Sequence, residues 1–137
     1  MKKGFMIVFL VFSSMAFANC PIDLTAADLC ADLAWIEGPY DGKTSQFRVK
    51  FWKSGDEDQV AKSPQYKLDI YSWMVMGNGH NHGGPKLTWS EVSPGVFEVL
   101  DARFFMGQMQ GHWLVRIDLL DNQNQIAAES SYRVVLP

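Results

Sequence analysis

The chain has 137 residues, of which 47% are hydrophobic and 20% charged, and its formal charge is −3. This length and composition predict a single globular domain and exclude a disordered tail or a multidomain enzyme. The acidic balance also argues against a nucleic-acid partner, which would require a basic surface for the phosphates.

The first residues have the pattern of an export signal. Two lysines precede an apolar run at 5–12, which leads to small residues at positions 16 and 18. This order is typical of a secretory signal peptide cleaved after a small residue. We therefore expect 1–18 to be a signal peptide and 19–137 to be one periplasmic or secreted domain of charge −5. The apolar run is shorter than the ~20 residues that cross a bilayer, so no membrane span is expected in the mature chain.

The chain has two cysteines, Cys20 and Cys30. In an oxidising compartment, the simplest prediction is a disulfide between them. Lipidation of Cys20 is an alternative, but Asn19 stands where a small residue belongs in a lipoprotein signal. A thiolate metal site is a second alternative, and the absence of a C-x-x-C spacing argues against it.

Alternating apolar residues predict β-strands along the rest of the chain. The first two strands are expected at 29–35 and 47–52, and the alternation outweighs a short helix beginning at 25–28. A third strand is predicted at 66–76. The glycine-rich stretch 77–85 is predicted to lack regular structure.

Four further strands are predicted after this stretch, with turns rich in Pro, Gly, Asn and Asp between them. They lie at 86–92, 96–105, 113–120 and 126–136. Seven strands with short turns and no long helix favour an all-β fold, an immunoglobulin-like antiparallel β-sandwich.

Methionine and histidine are concentrated in two short segments of the mature chain. Every mature methionine and histidine lies either at the end of the third predicted strand and its loop or in the loop after the fifth: Met74, Met76, His80, His82, Met106, Met109 and His112. Strands three and five of an antiparallel fold finish at the same end, so the two segments are expected to face each other.

Thioether and imidazole donors together are typical of a copper site, because soft sulfur favours Cu(I) and imidazole suits either oxidation state. The predicted ligands are Met76, His80, His82, Met106, Met109 and His112. Met74 continues the apolar face of its strand, so core packing competes with ligation there. A zinc site using His80, His82 and an acidic residue is the alternative, with Glu91 and Asp101 as candidates.

The segment 73–118 resembles the YtkA-like/FixH-like family of small exported or membrane-anchored β-sandwich domains. The family pattern has a methionine and a Met-Gly-His type loop, a Gly-x-Tyr/Phe strand, and Met-x-Gly-x-Trp opening a strand of alternating aliphatic residues. The chain matches it with Met76 and the loop to Pro85, with Pro94-Gly95-Val96-Phe97, and with Met109-Gln110-Gly111-His112-Trp113.

The resemblance implies a copper-linked role, since members look like copper-binding or copper-trafficking domains and some serve the assembly of cytochrome oxidase. It points to Met76, His80 and Met109 as ligands. The chain has Gly79 where a second methionine often stands. A membrane anchor like that of FixH-type proteins is not expected. The other predicted ligands are suggested by this sequence and not by the family.

We expect a periplasmic copper-binding protein that holds or hands on copper. Its partner would be an envelope copper-trafficking or oxidase-assembly protein. An enzyme is not expected, because the chain contains no G-x-S-x-G or H-E-x-x-H motif and its histidines all belong to the candidate metal cluster. The alternative is a metal-free envelope interaction module that uses the same methionines together with Trp73 and Phe105.

Overall fold

A computed structural model describes residues 19–137. The predicted signal peptide at 1–18 lies outside the described residues. The described chain forms nine strands and one short 3₁₀-helix: β1 Ile22–Leu24, the helix Thr25–Ala27, β2 Leu29–Glu37, β3 Thr44–Lys53, β4 Lys67–Met76, β5 Asn81–Gly83, β6 Ser90–Ser93, β7 Val96–Arg103, β8 Gly111–Leu120 and β9 Ile126–Val134. Over 19–137, no helix has the length and apolar character needed to cross a membrane.

The strands form two antiparallel sheets packed face to face, which confirms the predicted β-sandwich. Sheet 1 has the order β1-β2-β3-β7-β6, and sheet 2 has the order β5-β4-β8-β9. Seven of these strands follow the immunoglobulin arrangement, in which four strands of one sheet face three of the other. The three-residue strands β1 and β5 extend the two sheets at their edges.

The core lies between the sheets and is built from the apolar residues that alternate along each strand. Sheet 1 contributes Phe47, Val49 and Phe51 from β3, and all three are fully buried. Sheet 2 contributes Val115 and Ile117 from β8, which are also fully buried. The period-two pattern therefore predicted correctly which face of these strands is inside.

The predicted disulfide is present. Cys20 and Cys30 are bonded, with their Cα atoms 5.1 Å apart. The bond links the residue two positions before β1 to the second residue of β2, and β1 pairs with β2 in antiparallel register. It therefore fixes the start of the described chain against sheet 1.

Three local predictions were wrong. The apolar alternation that follows 25–28 argues against a helix there. Thr25–Ala27 nevertheless forms a 3₁₀-helix, which ends at Asp28 in the left-handed conformation. The stretch 77–85 contains β5, which pairs with the end of β4. Its three residues are exposed and have no apolar alternation, so the local pattern does not predict this edge strand, which pairs with the β4 backbone.

The strand predicted at 86–92 is shorter and later than expected. β6 spans only Ser90–Ser93. Before it, Leu87 is buried, and the N–H of Thr88 donates to the carboxylate of Asp101 at 3.1 Å. Leu87 and Trp89 thus anchor a connection between the sheets. The backbone N–H of Thr88 bonds to the Asp101 side chain and not to the backbone of a neighbouring strand.

The outer face of sheet 2 carries a row of three carboxylates. Asp69, Asp118 and Glu129 are directly opposite one another on β4, β8 and β9. Asp118 exposes only 9% of its surface. One of its oxygens accepts the Tyr71 hydroxyl at 3.1 Å, and the other has no hydrogen-bond partner within 19–137.

Burial raises the pKa of Asp118, and the neighbouring carboxylates add to the rise. The folded protein therefore binds the Asp118 proton more tightly than the unfolded chain does. As a result, the free energy of unfolding falls as the pH rises above about 4, the pKa of aspartate in the unfolded chain. We expect Asp118→Asn to be more stable than the wild type at pH 7 by about 1 kcal/mol, since it removes an ionised, poorly paired buried group.

Urea denaturation of both proteins at pH 7 and pH 3.5 checks this prediction. The difference between the two midpoints should shrink at the acidic pH, where most wild-type Asp118 is protonated in both states. An equal or lower stability of the variant at pH 7 would show that the ionised carboxylate is well solvated.

Candidate metal centre

The two segments rich in methionine and histidine lie side by side at one end of the sandwich. The last residues of β4 pair with the first residues of β8, with Met76 opposite Gly111 and Val75 opposite His112. Beyond the strands, the N–H of Gly77 donates to the carbonyl of Gln110 at 3.0 Å. We call this end of the sandwich, with the β4–β5 and β7–β8 connections, the pole.

Short hydrogen-bonded turns shape both connections. In the first, the N–H of Gly79 donates to the Met76 carbonyl at 3.1 Å. In the second, the N–H of Met109 donates to the Met106 carbonyl at 2.8 Å. The N–H of Met106 itself donates to the carboxylate of Asp41 at 3.0 Å, which ties this loop to sheet 1. Asp41 was not identified from the sequence, where no motif marks it.

The alternation of the strands places the candidate ligands on two different faces of sheet 2. His82, Met74 and Trp113 form one row across β5, β4 and β8 on the inner face. Met76 lies on the same face as Met74, two residues closer to the pole. His112 lies in register with Val75 on the outer face. His112 is therefore on the face opposite that of Met76 and His82.

The four mature methionines differ in how far solvent reaches them. Met74 is 0% exposed and belongs to the core, which favours packing over ligation for its sulfur. Met76 and Met106 are half-buried and pack against the core. Met109, in the β7–β8 loop, is 38% exposed. The thioether of Met109 in the β7–β8 loop is thus more accessible to an incoming ion than that of Met74 in β4.

The two histidines of the β4–β5 hairpin are exposed. The Nδ1 atom of His82 lies 3.0 Å from the Gly83 carbonyl oxygen. Because a carbonyl can only accept, this contact assigns the proton of the neutral ring to Nδ1 and leaves the Nε2 lone pair free for a metal. His80 follows an Asx turn in which its N–H donates to the Asn78 side chain at 3.0 Å.

Trp113 is a buried inner-face residue near the start of β8, next to the pole. Its indole N–H donates to the Phe105 carbonyl at 3.0 Å. Its ring packs edge to face against Phe104 and against His82, with centroid distances of 5.8 and 6.2 Å. Gly84 lies directly beside the ring, since a Cβ at this position would approach the Trp113 Cζ3 atom to 2.7 Å. In the sequence, Trp113 is recognisable only as part of a motif, and no local pattern indicates its contacts with His82 and Gly84.

Two open clefts border the pole. One, of about 200 Å³, is lined by Met76, Gly77, Asn78 and Gln110. The other, of about 340 Å³, lies towards β9 and includes Met106, His112, Asp41 and Arg133 in its lining. His112 therefore shares a cleft with Met106 and not with Met76.

The carboxylates proposed for the zinc alternative belong to sheet 1. Asp101 lies on β7 and accepts hydrogen bonds from Thr88, and Glu91 lies on β6 and accepts from Ser63. Across residues 19–137, no three side chains of His, Cys, Asp or Glu are grouped so as to hold a metal ion.

Comparisons with protein-family models, with curated proteins and with solved structures found no match. The resemblance to the YtkA-like/FixH-like family thus rests on the motif residues quoted above.

Proposed function

We propose that this protein is a periplasmic copper-binding β-sandwich that holds or hands on copper at the pole. The observation that carries the proposal is the pairing of Met76 with Gly111, which joins two segments that are distant in sequence. Around this pair the chain presents thioether and imidazole groups, the donor set that suits copper best.

The inner-face side of the pole is the proposed centre. Met76 and His82 share this face, and Gly111 has no side chain to fill the position opposite Met76. His80 and Met109 belong to the flanking turns and would complete the coordination. Met106 and His112 border the neighbouring cleft, so we assign them an accessory role at the mouth of the site.

The exposure of these groups favours exchange over permanent storage. His80, His82 and Met109 are all exposed, so another protein can reach a metal that they bind. Methionine is also a suitable copper ligand outside the cytoplasm, because it does not form disulfides. The expected partner is an envelope copper-trafficking or oxidase-assembly protein.

Copper titration of the purified protein tests the proposal. We expect Met109→Leu and His82→Ala each to weaken Cu(I) binding by at least about tenfold, the equivalent of 1.4 kcal/mol for a lost ligand. Competition with a chromogenic Cu(I) chelator under anaerobic conditions measures the affinity. Gln108→Leu and Asn81→Ala are matched controls, since they change exposed neighbours in the same loop and strand.

Equal copper affinity in the ligand variants and their controls would contradict this assignment. It would favour the second candidate function, a metal-free module that contacts an envelope protein through the pole. Phe105 and Met109 support that candidate, because they are 42% and 38% exposed. Trp73 supports it less, since it is half-buried and its ring lies 5.7 Å from the Arg116 guanidinium.

A further inference from the structure

The outer edge of β9 is the longest sheet edge among the described strands. Four strands end the two sheets over residues 19–137, and three of them, β1, β5 and β6, have only three or four residues. β9 has nine. It pairs with β8, and β1, which lies close to it in the neighbouring sheet, is not hydrogen-bonded to it. The outward N–H and C=O groups of β9 are therefore able to pair with another strand.

β9 also lacks the features that usually protect an edge strand. Protected edges carry lysine or proline, or a bulge that interrupts their pairing. Residues 126–134 contain neither lysine nor proline. Pairing with β8 is regular from Ala128 to Val134, and its irregularity lies before Ala128. These seven residues thus form a regular edge that is competent to pair.

The charges on β9 are self-complementary about Ser131. Ser131 is exposed on the outer face of sheet 2, with Glu129 two residues before it and Arg133 two residues after it on the same exposed face. In an antiparallel pair of two β9 strands, a twofold axis can place the two Ser131 residues opposite each other. Glu129 of each copy then lies opposite Arg133 of the other, and opposite charges across a strand pair are stabilising.

The same charges disfavour the other symmetric registers. An axis at Glu129 would place two carboxylates opposite each other, and an axis at Arg133 would do the same with two guanidinium groups. The register centred on residue 131 also suits the inner face, where the small side chain of Ala128 lies opposite the larger one of Val134. The side chains of β9 therefore specify one way of pairing with a second copy.

We propose that this protein forms a twofold-symmetric dimer in which β9 pairs antiparallel with β9 of a second copy, centred on Ser131. Sheet 2 of one copy and sheet 2 of the other then form one continuous sheet of eight strands. This interface is separate from the pole, so the inference does not depend on the proposed copper site.

The dimer also supplies a counter-charge to the row of carboxylates on the outer face. Asp69, Asp118 and Glu129 lie directly opposite one another on three neighbouring strands, an arrangement that is repulsive when all three are ionised. Within one chain, the Arg116 guanidinium is 4.0 Å from the Glu129 carboxylate. In the proposed register, Arg133 of the second copy extends the same row beyond Glu129.

Sedimentation of the purified protein from micromolar to millimolar concentration tests the inference. We expect a monomer–dimer equilibrium. Arg133→Glu and Glu129→Arg should each weaken dimerisation by at least about tenfold, because symmetry turns two attractive pairs into two repulsive ones. Lys53→Glu is the matched control, since it makes the same change of charge at an exposed position of sheet 1, and it should dimerise like the wild type.

A mixture of the two charge variants tests the register itself. In a heterodimer of Arg133→Glu with Glu129→Arg, both cross-strand pairs again consist of opposite charges. We therefore expect the equimolar mixture to associate with nearly the wild-type affinity, although each variant alone is monomeric at the same concentration. In ¹H–¹⁵N spectra of the wild type, the amide resonances of 128–134 should shift with concentration, and those of β5 and β6 should not.

Three results would overturn the inference. One is a wild type that remains monomeric at millimolar concentration. Another is a dimer that Arg133→Glu leaves intact or that leaves the β9 amide resonances unchanged, since its interface would lie elsewhere. The third is a mixture of the two variants that does not associate although the circular dichroism of each shows that it is folded.

Discussion

Gly111→Ala is expected to destabilise the protein by about 2–4 kcal/mol, in the range of the severe single substitutions. Gly111 has φ of +147°, and a Cβ there would overlap the Val75 carbonyl oxygen and lie 3.0 Å from the Met76 Cα. Both are backbone atoms of the paired strand β4. They can move only by opening the β4–β8 ladder at the pole, and this opening would also separate the two halves of the metal centre.

Gly107→Ala, in the loop that leads into β8, is the matched control. Gly107 also has a positive φ, +53°, but no atom of the described residues would lie within 4 Å of its Cβ. Its substitution should cost only the intrinsic penalty of a left-handed residue, about 1–2 kcal/mol. Urea denaturation compares the two variants, and an equal loss in both would show that the close contact with β4 is unimportant.

Removal of the disulfide is expected to cost about 3 kcal/mol. Cys20 and Cys30 are separated by ten residues, and closing a loop of this size in the unfolded chain has about that entropic effect. The native contacts are affected as well, because Ile22 and Leu24 of β1 are almost fully buried and β1 pairs only with β2 among the described strands.

The double variant Cys20→Ala/Cys30→Ala tests this expectation by chemical denaturation with and without a reductant. Alanine is preferred to serine because Cys30 is buried and a hydroxyl there would need a partner. The reductant should lower the wild-type midpoint to that of the variant and leave the variant unchanged. A wild-type midpoint that does not respond to full reduction would contradict the prediction.

Much of the sandwich was predictable because strand alternation is a local property. Residues of one strand that share a face are two positions apart, so β2, β3, β4 and β8 could be identified with their inner faces from short stretches of sequence. The disulfide was predictable for a different reason, because two cysteines allow only one pairing within the chain.

The short strands were harder to predict. β5 has three exposed residues without apolar alternation, and its pairing with the β4 backbone is a contact that the local sequence does not indicate. The opposite difference is found at 86–92, where apolar residues predict a strand but instead anchor a connection between the sheets. In both cases a long-range contact, not the local pattern, decided the structure.

The sequence by itself determined which residues alternate between core and solvent, where the chain turns, and that its thioethers and imidazoles occur in two short segments. Only the tertiary structure decided that Met76 faces Gly111, that His112 lies on the opposite face from His82, and that Trp113 approaches His82. The physical reason is that hydrogen bonds between strands distant in sequence set the register. A shift of one residue in that register would exchange the two faces of the sheet.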